Sequence, residues 1–326
     1  MTMSNLNVCV GIDAGSSSSK LAFSDDKGTR LIGSMGGFDA LTLREAAEVF
    51  FDEPVFSCVI AVPENFTRRQ RDDVNAASKR AGFRDADIIT AYEAMTLALD
   101  FPGKVLVYDF GASKSDMVVF ESGEVIESVT LDDICGNVFD DVFAGWLSDR
   151  FTLDLIDKNI LRERAESIKI TLSESDYVTW REVNIMRGDF ERLIHFTVKR
   201  AAHTVQRLLR VHHPERFILT GGCANIPEVR STLAGLTKFS PELRPGLIAE
   251  GAALKGRSLT AENSRTQTTN IAARLREIRA GMIEIEDKLT RTQKDRIYMM
   301  FRQVEGINDA GIIALMENMI REIREA

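Results

Sequence analysis

Short apolar runs separated by turn residues recur through the first third of the chain and predict β-strands. The runs lie at residues 6–12, 20–24, 30–33, 56–62 and 88–91. Asp25 to Gly28 has the composition of a tight turn, so the second and third strands are expected to form a hairpin. The polar segment at 67–81 predicts a helix with Thr67 as its expected N-cap, and residues 93–99 also suit a helix.

The same pattern begins again at residue 104. Strands are predicted there at 104–108, 115–120 and 124–131. In each half a strand ends in an Asp-x-Gly turn, Asp13 to Gly15 or Asp109 to Gly111, and a hairpin follows. A strand, this turn and a hairpin thus occur twice, at 6–33 and 104–131. This internal duplication predicts two similar lobes that contribute the same turn to a site between them.

The chain after the second hairpin is predicted to be mostly helical. Helices are expected at 138–151 and over most of 152–200, and a strand is expected at 216–220. That strand leads into Gly221 and Gly222. A helix is expected to begin at Pro227, because proline is favoured in the first helical turn.

The composition changes after Gly256. Residues 261–326 carry 11 Lys and Arg and 11 Asp and Glu, so the rest of the chain carries the net charge of −8. Apolar residues in this tail recur at steps of three and four, which predicts two or three helices. Their stripes are Ile271, Leu275, Ile278, Met282, Ile285 and Leu289; Ile297, Met300, Phe301 and Val304; and Ile312, Leu315, Met316, Met319, Ile320 and Ile323. Packing within the chain is the preferred interpretation, and self-association through a coiled coil is the alternative.

Composition limits the class of protein. With 326 residues, 44% of them hydrophobic and 28% charged, the chain is predicted to be globular with more than one compact unit. The net charge of −8 argues against a nucleic-acid partner. No apolar run could span a membrane and no signal peptide is predicted, so a cytoplasmic location is expected. The four cysteines, Cys9, Cys58, Cys135 and Cys223, are expected to be free buried thiols.

The segment Asp13 to Lys20, Asp-Ala-Gly-Ser-Ser-Ser-Ser-Lys, lies between two predicted strands. It therefore lacks the strand-to-helix context of the Walker and Rossmann motifs. Its small residues would let the backbone approach a ligand, and its amides, hydroxyls and lysine could hold a phosphate. Asp13 is placed to bind Mg²⁺ through water. The alternative is a serine-rich turn with a solvated lysine.

The segment Asp109 to Asp116, Asp-Phe-Gly-Ala-Ser-Lys-Ser-Asp, repeats the arrangement. Two facing hairpins could hold a polyphosphate and its metal from both sides, which is the positioning that phosphoryl transfer requires. Gly221 and Gly222 follow a strand, where paired glycines allow close approach to a flat ring or a ribose.

These motifs, in this order, resemble the superfamily of actin, sugar kinases and heat-shock-70 chaperone ATPases, and in particular the heat-shock-70 ATPase domain. The matching stretches are 10–16, 59–66, 77–82, 107–111, 135–140, 166–173, 220–222 with 226–227, and 248–253. The resemblance implies an α/β, duplicated ribonuclease-H-like fold with two lobes around a nucleotide cleft and a helical C-terminal tail. Lobe I would span 1–104, lobe II 105–256 and the tail 257–326.

The resemblance also implies ATP or ADP with Mg²⁺ as cofactors, and it implies the residues that bind them. Asp13 and Asp109 would hold the water shell of Mg²⁺, and Glu93 would orient the attacking water. The nucleotide-binding candidates are Gly15, Ser16, Ser17, Lys20, Gly111, Ala112 and Ser113 at the phosphates, and Glu166, Lys169, Ser173, Gly221 and Gly222 at the adenosine. The alternatives are that Glu93 is an ordinary acid at a helix N-terminus and that residues 166, 169 and 173 form a solvated helix face.

Several positions depart from the chaperone pattern. Lys20 is typical of actin and its plasmid-segregating relatives, where that lysine contacts phosphate. Lys114 lies in the second phosphate motif and could compete for phosphate. Asn225 replaces an adenine-stacking arginine. Only about twenty residues separate the first hairpin from Phe56, so the outer subdomain of lobe I, with its catalytic lysine, is expected to be missing. Nothing after Gly256 resembles a substrate-binding domain.

The preferred function is a nucleotide-switched, slow Mg²⁺-dependent ATPase of the heat-shock-70 type. It would act as a chaperone or enzyme-reactivating factor with a protein partner or client. The alternatives are a nucleotide-binding scaffold that does not hydrolyse ATP and an actin-like filament-forming ATPase. A sugar kinase is disfavoured because no sugar-binding loop is apparent.

Overall fold

The computed structural model describes residues 8–151, 157–236, 240–284, 289–294, 296, 297, 299, 300 and 310–325. The chain divides into two compact units, Met1–Arg257 and Ser258–Ala326. Part of the strand predicted at 6–12 and the stripe residues Ile285, Phe301 and Val304 lie outside the described residues. The proposed boundary between the lobes, at 104/105, and the start of the tail at 257 stay predictions.

The first lobe is built on a five-stranded sheet. Its elements are β1 (Cys9–Asp13), β2 (Ser19–Asp25), β3 (Gly28–Met35), α1 (Ala40–Phe51), β4 (Ser57–Val62), α2 (Arg68–Arg80), β5 (Asp85–Thr90) and α3 (Ala91–Leu99). The strands lie in the order β3-β2-β1-β4-β5. The first three strands are mutually antiparallel, whereas β4 and β5 run parallel to β1.

The second lobe repeats this arrangement. Its sheet contains β6 (Lys104–Phe110), β7 (Ser115–Glu121), β8 (Glu124–Leu131), β11 (Arg216–Thr220) and β12 (Glu242–Leu243). The strands lie in the order β12-β11-β6-β7-β8. Strand β7 runs antiparallel to its neighbours β6 and β8, whereas β11 and β12 run parallel to β6. Order and direction therefore match the first sheet, and the predicted duplicated two-lobe fold is confirmed.

The lobes differ in the connection between the third and fourth strands of each sheet. In lobe I this connection, 36–56, contains α1 alone. In lobe II it contains α4 (Gly136–Phe151), α5 (Lys158–Glu174), β9 (Tyr177–Trp180), β10 (Val183–Met186) and α6 (Arg187–His212). Sequence analysis did not predict α1, although Asp39 caps it by accepting a hydrogen bond from the amide of Leu41 at 3.2 Å. The β9–β10 hairpin was also missed.

The local sequence correctly predicted most of the other elements. Thr67 caps α2 with its side chain, and Gln70 completes a capping box, as the polar pattern there predicts. Pro227 occupies the first turn of α7 (Pro227–Ala234). The two sheets then bury separate cores. Phe110, Phe139 and Phe143 belong to the core of lobe II, and all four cysteines are buried and free.

Helix α8 (Leu247–Glu284) begins after the last strand of the lobe II sheet, but its first turns pack against lobe I. Ala249 and Ala253 form a buried cluster with Ala22 of β2. A Cβ atom at Gly251 would lie 1.8 Å from the carbonyl oxygen of Ala94 in α3. Only small residues therefore allow the helix to approach lobe I this closely.

The tail unit has its own apolar cluster. Ile278 of α8 is buried with Ile313, Met316 and Ile320 of the last helix, α9 (Ala310–Glu325). The guanidinium of Arg274 donates to both carboxylate oxygens of Glu317 at 2.7 Å. Ile297 of the second stripe is buried in the same cluster and Met300 packs against it, so described residues of all three predicted stripes pack together. Among the residues described, no helix has the length and apolar character needed to cross a bilayer.

The close contact at Gly251 gives a stability prediction. Gly251→Ala should lower the free energy of unfolding by about 1–3 kcal/mol, because the added methyl overlaps the Ala94 carbonyl and α8 must move. Gly145→Ala is the control, since no atom lies within 4 Å of its Cβ position on exposed α4. Gly145→Ala should raise the free energy of unfolding by about 0.5–1 kcal/mol, because alanine has a higher helix propensity than glycine. Urea unfolding measures both, and equal stability of Gly251→Ala and the wild type would contradict the packing.

Candidate functional site

A cavity of about 990 Å³ lies between the two lobes of the first unit. Both Asp-x-Gly hairpins line it, together with α5, the turn after β11 and the start of α8. All of the predicted nucleotide-binding residues line this one cavity: Gly15, Ser16, Ser17, Lys20, Gly111, Ala112, Ser113, Glu166, Lys169, Ser173, Gly221 and Gly222. Asp13 and Asp109 line it as well. The structure therefore brings residues more than 200 positions apart to one place.

The first hairpin places Asp13 at the end of β1, directly opposite Lys20 of β2. The lysine Nζ lies 3.6 Å from Asp13 Oδ2. Desolvation raises the pKa of Asp13, and the lysine opposes this effect. In the turn, a Cβ at Gly15 would lie 2.0 Å from the carbonyl oxygen of Ser18, so this tight backbone requires glycine.

The second hairpin places Asp109 near the end of β6, directly opposite Asp116 of β7. Desolvation, with the charge of Asp13 as the next largest cause, raises the pKa of Asp109 to about 7. The two strand-end carboxylates therefore lie near enough to interact, and both line the cavity. The hydroxyl of Ser16 also donates to the hydroxyl of Ser113 at 3.3 Å, which joins the tips of the hairpins. A cation between Asp13 and Asp109 would relieve their repulsion, so this pair fits a magnesium site.

Glycine also shapes the turn after β11. Gly221 has a φ of 87°, and a Cβ there would lie 2.3 Å from the carbonyl oxygen of Phe110 and 2.6 Å from Asp109 Oδ1. This residue therefore packs against the second hairpin. At Gly222 a Cβ would meet no atom within 4 Å, so its open side faces free space beside the cavity. The two adjacent glycines have different roles: one permits a close contact and the other leaves room.

The predicted helix face on α5 lines the cavity through Glu166, Lys169 and Ser173. Lys169 is not free, however, because its Nζ lies 2.7 and 2.8 Å from the two carboxylate oxygens of Asp140 on α4. Both residues are buried, with 7% and 2% of their surfaces exposed. Burial raises the pKa of Asp140 to about 6 even though the Lys169 charge opposes it. Lys169 thus has a structural partner that the sequence pattern did not identify.

Glu93 lies outside this arrangement. It sits in the first turn of α3, where its amide donates to the hydroxyl of Thr90 at 3.1 Å, and its side chain is 46% exposed. Its carboxylate lies 3.6 Å from Nζ of Lys255 on α8, and Glu93 is not among the residues that line the cavity. Its role in orienting water stays a prediction.

The lobe I wall of the cavity was missed by sequence analysis. It includes Phe38 from the start of the lobe I connection, Phe66 before α2, and Gln70 in the first turn of α2. These residues carry no phosphate or metal signature, so no local signal could have identified them. They reach the cavity only through the tertiary fold, which brings them and the first hairpin to the same cavity.

A profile of the Hsp70 protein family matches residues 35–272, more than two thirds of the chain. The chain belongs to the Hsp70 family. Chaperone protein dnaK1 of Synechococcus elongatus and chaperone protein DnaK 3 of a Synechococcus species are each 28% identical to it over 267 residues. Each comparison covers 68% of this chain and 40% of the relative, so the chain spans about two fifths of the length of these curated relatives. The two lobes form an Hsp70-type nucleotide-binding domain.

The Asp109 pKa predicts how stability of this Hsp70-type domain depends on pH. The folded pKa of about 7 lies above the 3.8 of an exposed aspartate, so the folded state binds more protons between these pH values than the unfolded state does. The free energy of unfolding contributed by Asp109 should therefore fall as pH rises from about 4 to about 7. In ligand-free protein, the stability advantage of Asp109→Asn over the wild type should grow across this window. Urea titrations at pH 5 and pH 8 measure it.

Asp149→Asn, on the exposed surface of α4, is the matched control for this titration. Its stability difference from the wild type should not grow over the same window. An advantage of Asp109→Asn that is the same at both pH values would show that the Asp109 carboxyl is not desolvated.

Proposed function

We propose that the chain binds ATP or ADP with Mg²⁺ between the two hairpins, hydrolyses ATP slowly, and acts as a nucleotide-switched chaperone or enzyme-reactivating protein in the cytoplasm. The observation that carries this proposal is the pair Asp13 and Asp109, which lie at the ends of equivalent strands of a duplicated fold and line one cavity. Family membership supports the same function.

The residues around this pair divide the proposed ligand into parts. Asp13 and Asp109 would hold the water shell of Mg²⁺, and the bound ion would neutralise charge on the phosphates. The phosphate chain would lie against the backbone amides and hydroxyls of the two hairpins, with Lys20 as a cation from lobe I. The adenosine would lie against the α5 face that carries Glu166 and Ser173, over the open side of Gly222.

The switch would act through the two lobes. The phosphates contact hairpins from both sheets, so loss of the terminal phosphate would remove contacts from both sides at once. A change in the angle between the lobes is the expected result, and a protein partner or client would respond to it. Two relatives are named chaperone proteins, which supports a protein client.

A nucleotide-binding scaffold that does not hydrolyse ATP is the second candidate. The ion pair between Glu93 and Lys255 favours it, because this pair keeps the proposed water-orienting carboxylate on the surface beside α8. Hydrolysis would require Glu93 to leave Lys255 when the nucleotide binds. The pair is about half exposed, so separating it should require little energy.

Nucleotide binding is tested by calorimetry with ATP, ADP and GTP, with and without Mg²⁺. Asp13→Asn should weaken Mg²⁺-dependent ATP binding by about 10- to 100-fold, because a charged partner of the metal's water shell is lost. Asp149→Asn, on the exposed face of α4, should bind as the wild type does. If Asp13→Asn retained full Mg²⁺-dependent affinity, the site assignment would be wrong.

Hydrolysis is tested by ATP turnover of the wild type and of Glu93→Gln. Loss of a water-orienting carboxylate should lower turnover by about 100-fold or more and leave ATP affinity nearly unchanged. A wild type that binds ATP without turning it over would establish the scaffold. Sedimentation with ATP and Mg²⁺ separates both from an actin-like filament, since only a polymer would pellet.

A further inference from the structure

The two hairpins differ at one equivalent position. In the first hairpin, the residue paired across from the strand-end Asp13 is Lys20. In the second, the residue paired across from Asp109 is Asp116. The second hairpin thus presents two acids where the first presents an acid and a base. Two acids would repel a ligand with several phosphates unless cations offset them: the proposed Mg²⁺ would offset Asp109, and a second cation would offset Asp116.

Lys114 supplies this cation from the loop of the second hairpin. Its Nζ lies 2.7 Å from Asp116 Oδ2, and the hydroxyl of Thr130 donates to Asp116 Oδ1 at 2.5 Å. Asp116 is only 5% exposed, and both Asp116 and Lys114 line the cavity. Lys20 lines the same cavity from the first hairpin.

The backbone that carries Lys114 is fixed on both sides. Within the loop, the amide of Gly111 donates to the carbonyl of Lys114 at 3.1 Å. The first residues of α4 also hold the loop, because the amide of Gly136 donates to the Gly111 carbonyl at 3.0 Å and that of Asn137 to the Ala112 carbonyl at 2.7 Å. The lysine is therefore preorganised, and little conformational entropy would be lost when it binds an anion.

We propose that Lys114 is a second phosphate-binding cation, which contacts the polyphosphate chain of a nucleoside di- or triphosphate from lobe II while Lys20 contacts it from lobe I. Asp116 and Thr130 are its positioning residues. This inference rests on the proposed function and names the part of the ligand that the second hairpin recognises. An ammonium group has three N–H donors, so the contact to Asp116 leaves two for phosphate oxygens.

The competing interpretation is that Lys114 only neutralises Asp116. The two interpretations differ in what happens when both charges are removed. If Lys114 serves Asp116 alone, Lys114→Met/Asp116→Asn should recover the ligand affinity that Lys114→Met loses. If Lys114 binds phosphate, the double variant should remain weak. The asparagine can still accept the hydrogen bond from Thr130, so the double variant leaves no unpaired charge in the loop.

The experiment is calorimetry with Mg²⁺-ATP and with inorganic tripolyphosphate. Lys114→Met should weaken the binding of both by about 10- to 100-fold, as expected for a charge-assisted hydrogen bond, and Lys114→Met/Asp116→Asn should be as weak. Lys104→Met is the matched control. It removes a lysine at the far end of the same β6–β7 pair, where Nζ lies 3.5 Å from Glu121 Oε1 outside the cavity. Its affinities should equal those of the wild type.

Recovery of affinity in the double variant, or unchanged affinity in Lys114→Met, would overturn the proposal. If Lys114→Met fails to fold, the affinity of the double variant alone decides whether Lys114 binds phosphate or only neutralises Asp116. A wild type that binds tripolyphosphate but no nucleotide would end the proposed function, and the tripolyphosphate series would still decide the role of Lys114. A wild type that binds neither would end both.

Discussion

Electrostatic repulsion between two fixed carboxylates governs the cavity. Asp13 and Asp109 lie at the ends of equivalent strands, so the hydrogen bonding of two sheets holds both side chains in place. Neither can move away without disturbing its strand, and desolvation strengthens the repulsion between them. Each hairpin places one lysine nearby, Lys20 or Lys114. Fixed acids with lysines beside them suit a ligand that is itself a cation bound to an anion, such as magnesium with a polyphosphate.

The positions of those carboxylates depend in turn on contacts that only glycine permits. A Cβ at Gly11 of β1 would lie 2.1 Å from the backbone nitrogen of Ala253, so α8 packs directly on the strand that carries Asp13. Gly251 brings the same helix against α3. In lobe II, Gly221 brings the turn after β11 against Asp109. Displacement of these elements would therefore move the strand ends and change the distance between the charges.

The connection between the third and fourth strands is long in lobe II and short in lobe I, and this difference affects which lysines line the cavity. The long connection of lobe II builds α5 as a wall of the cavity, but Asp140 binds its lysine, Lys169. The short connection of lobe I contains α1 alone, so that wall consists of Phe38, Phe66 and other residues near α2. Among the described residues that line the cavity, the lysines are Lys20, Lys114 and Lys169. The cations near the two strand-end carboxylates come from the hairpins, one from each lobe.

The sequence by itself determined most of the strands, the two Asp-x-Gly hairpins and the cap at Thr67, because these depend on neighbours within a few residues, and the repeat of that local pattern revealed the duplication. It also identified the residues that line the cavity on both hairpins and on α5. Tertiary structure alone decided which charges pair, as with Lys169 and Asp140 or Glu93 and Lys255, and it decided that α8 returns to lobe I. The physical reason is that such contacts join segments far apart in sequence, and which segments meet depends on how the elements pack.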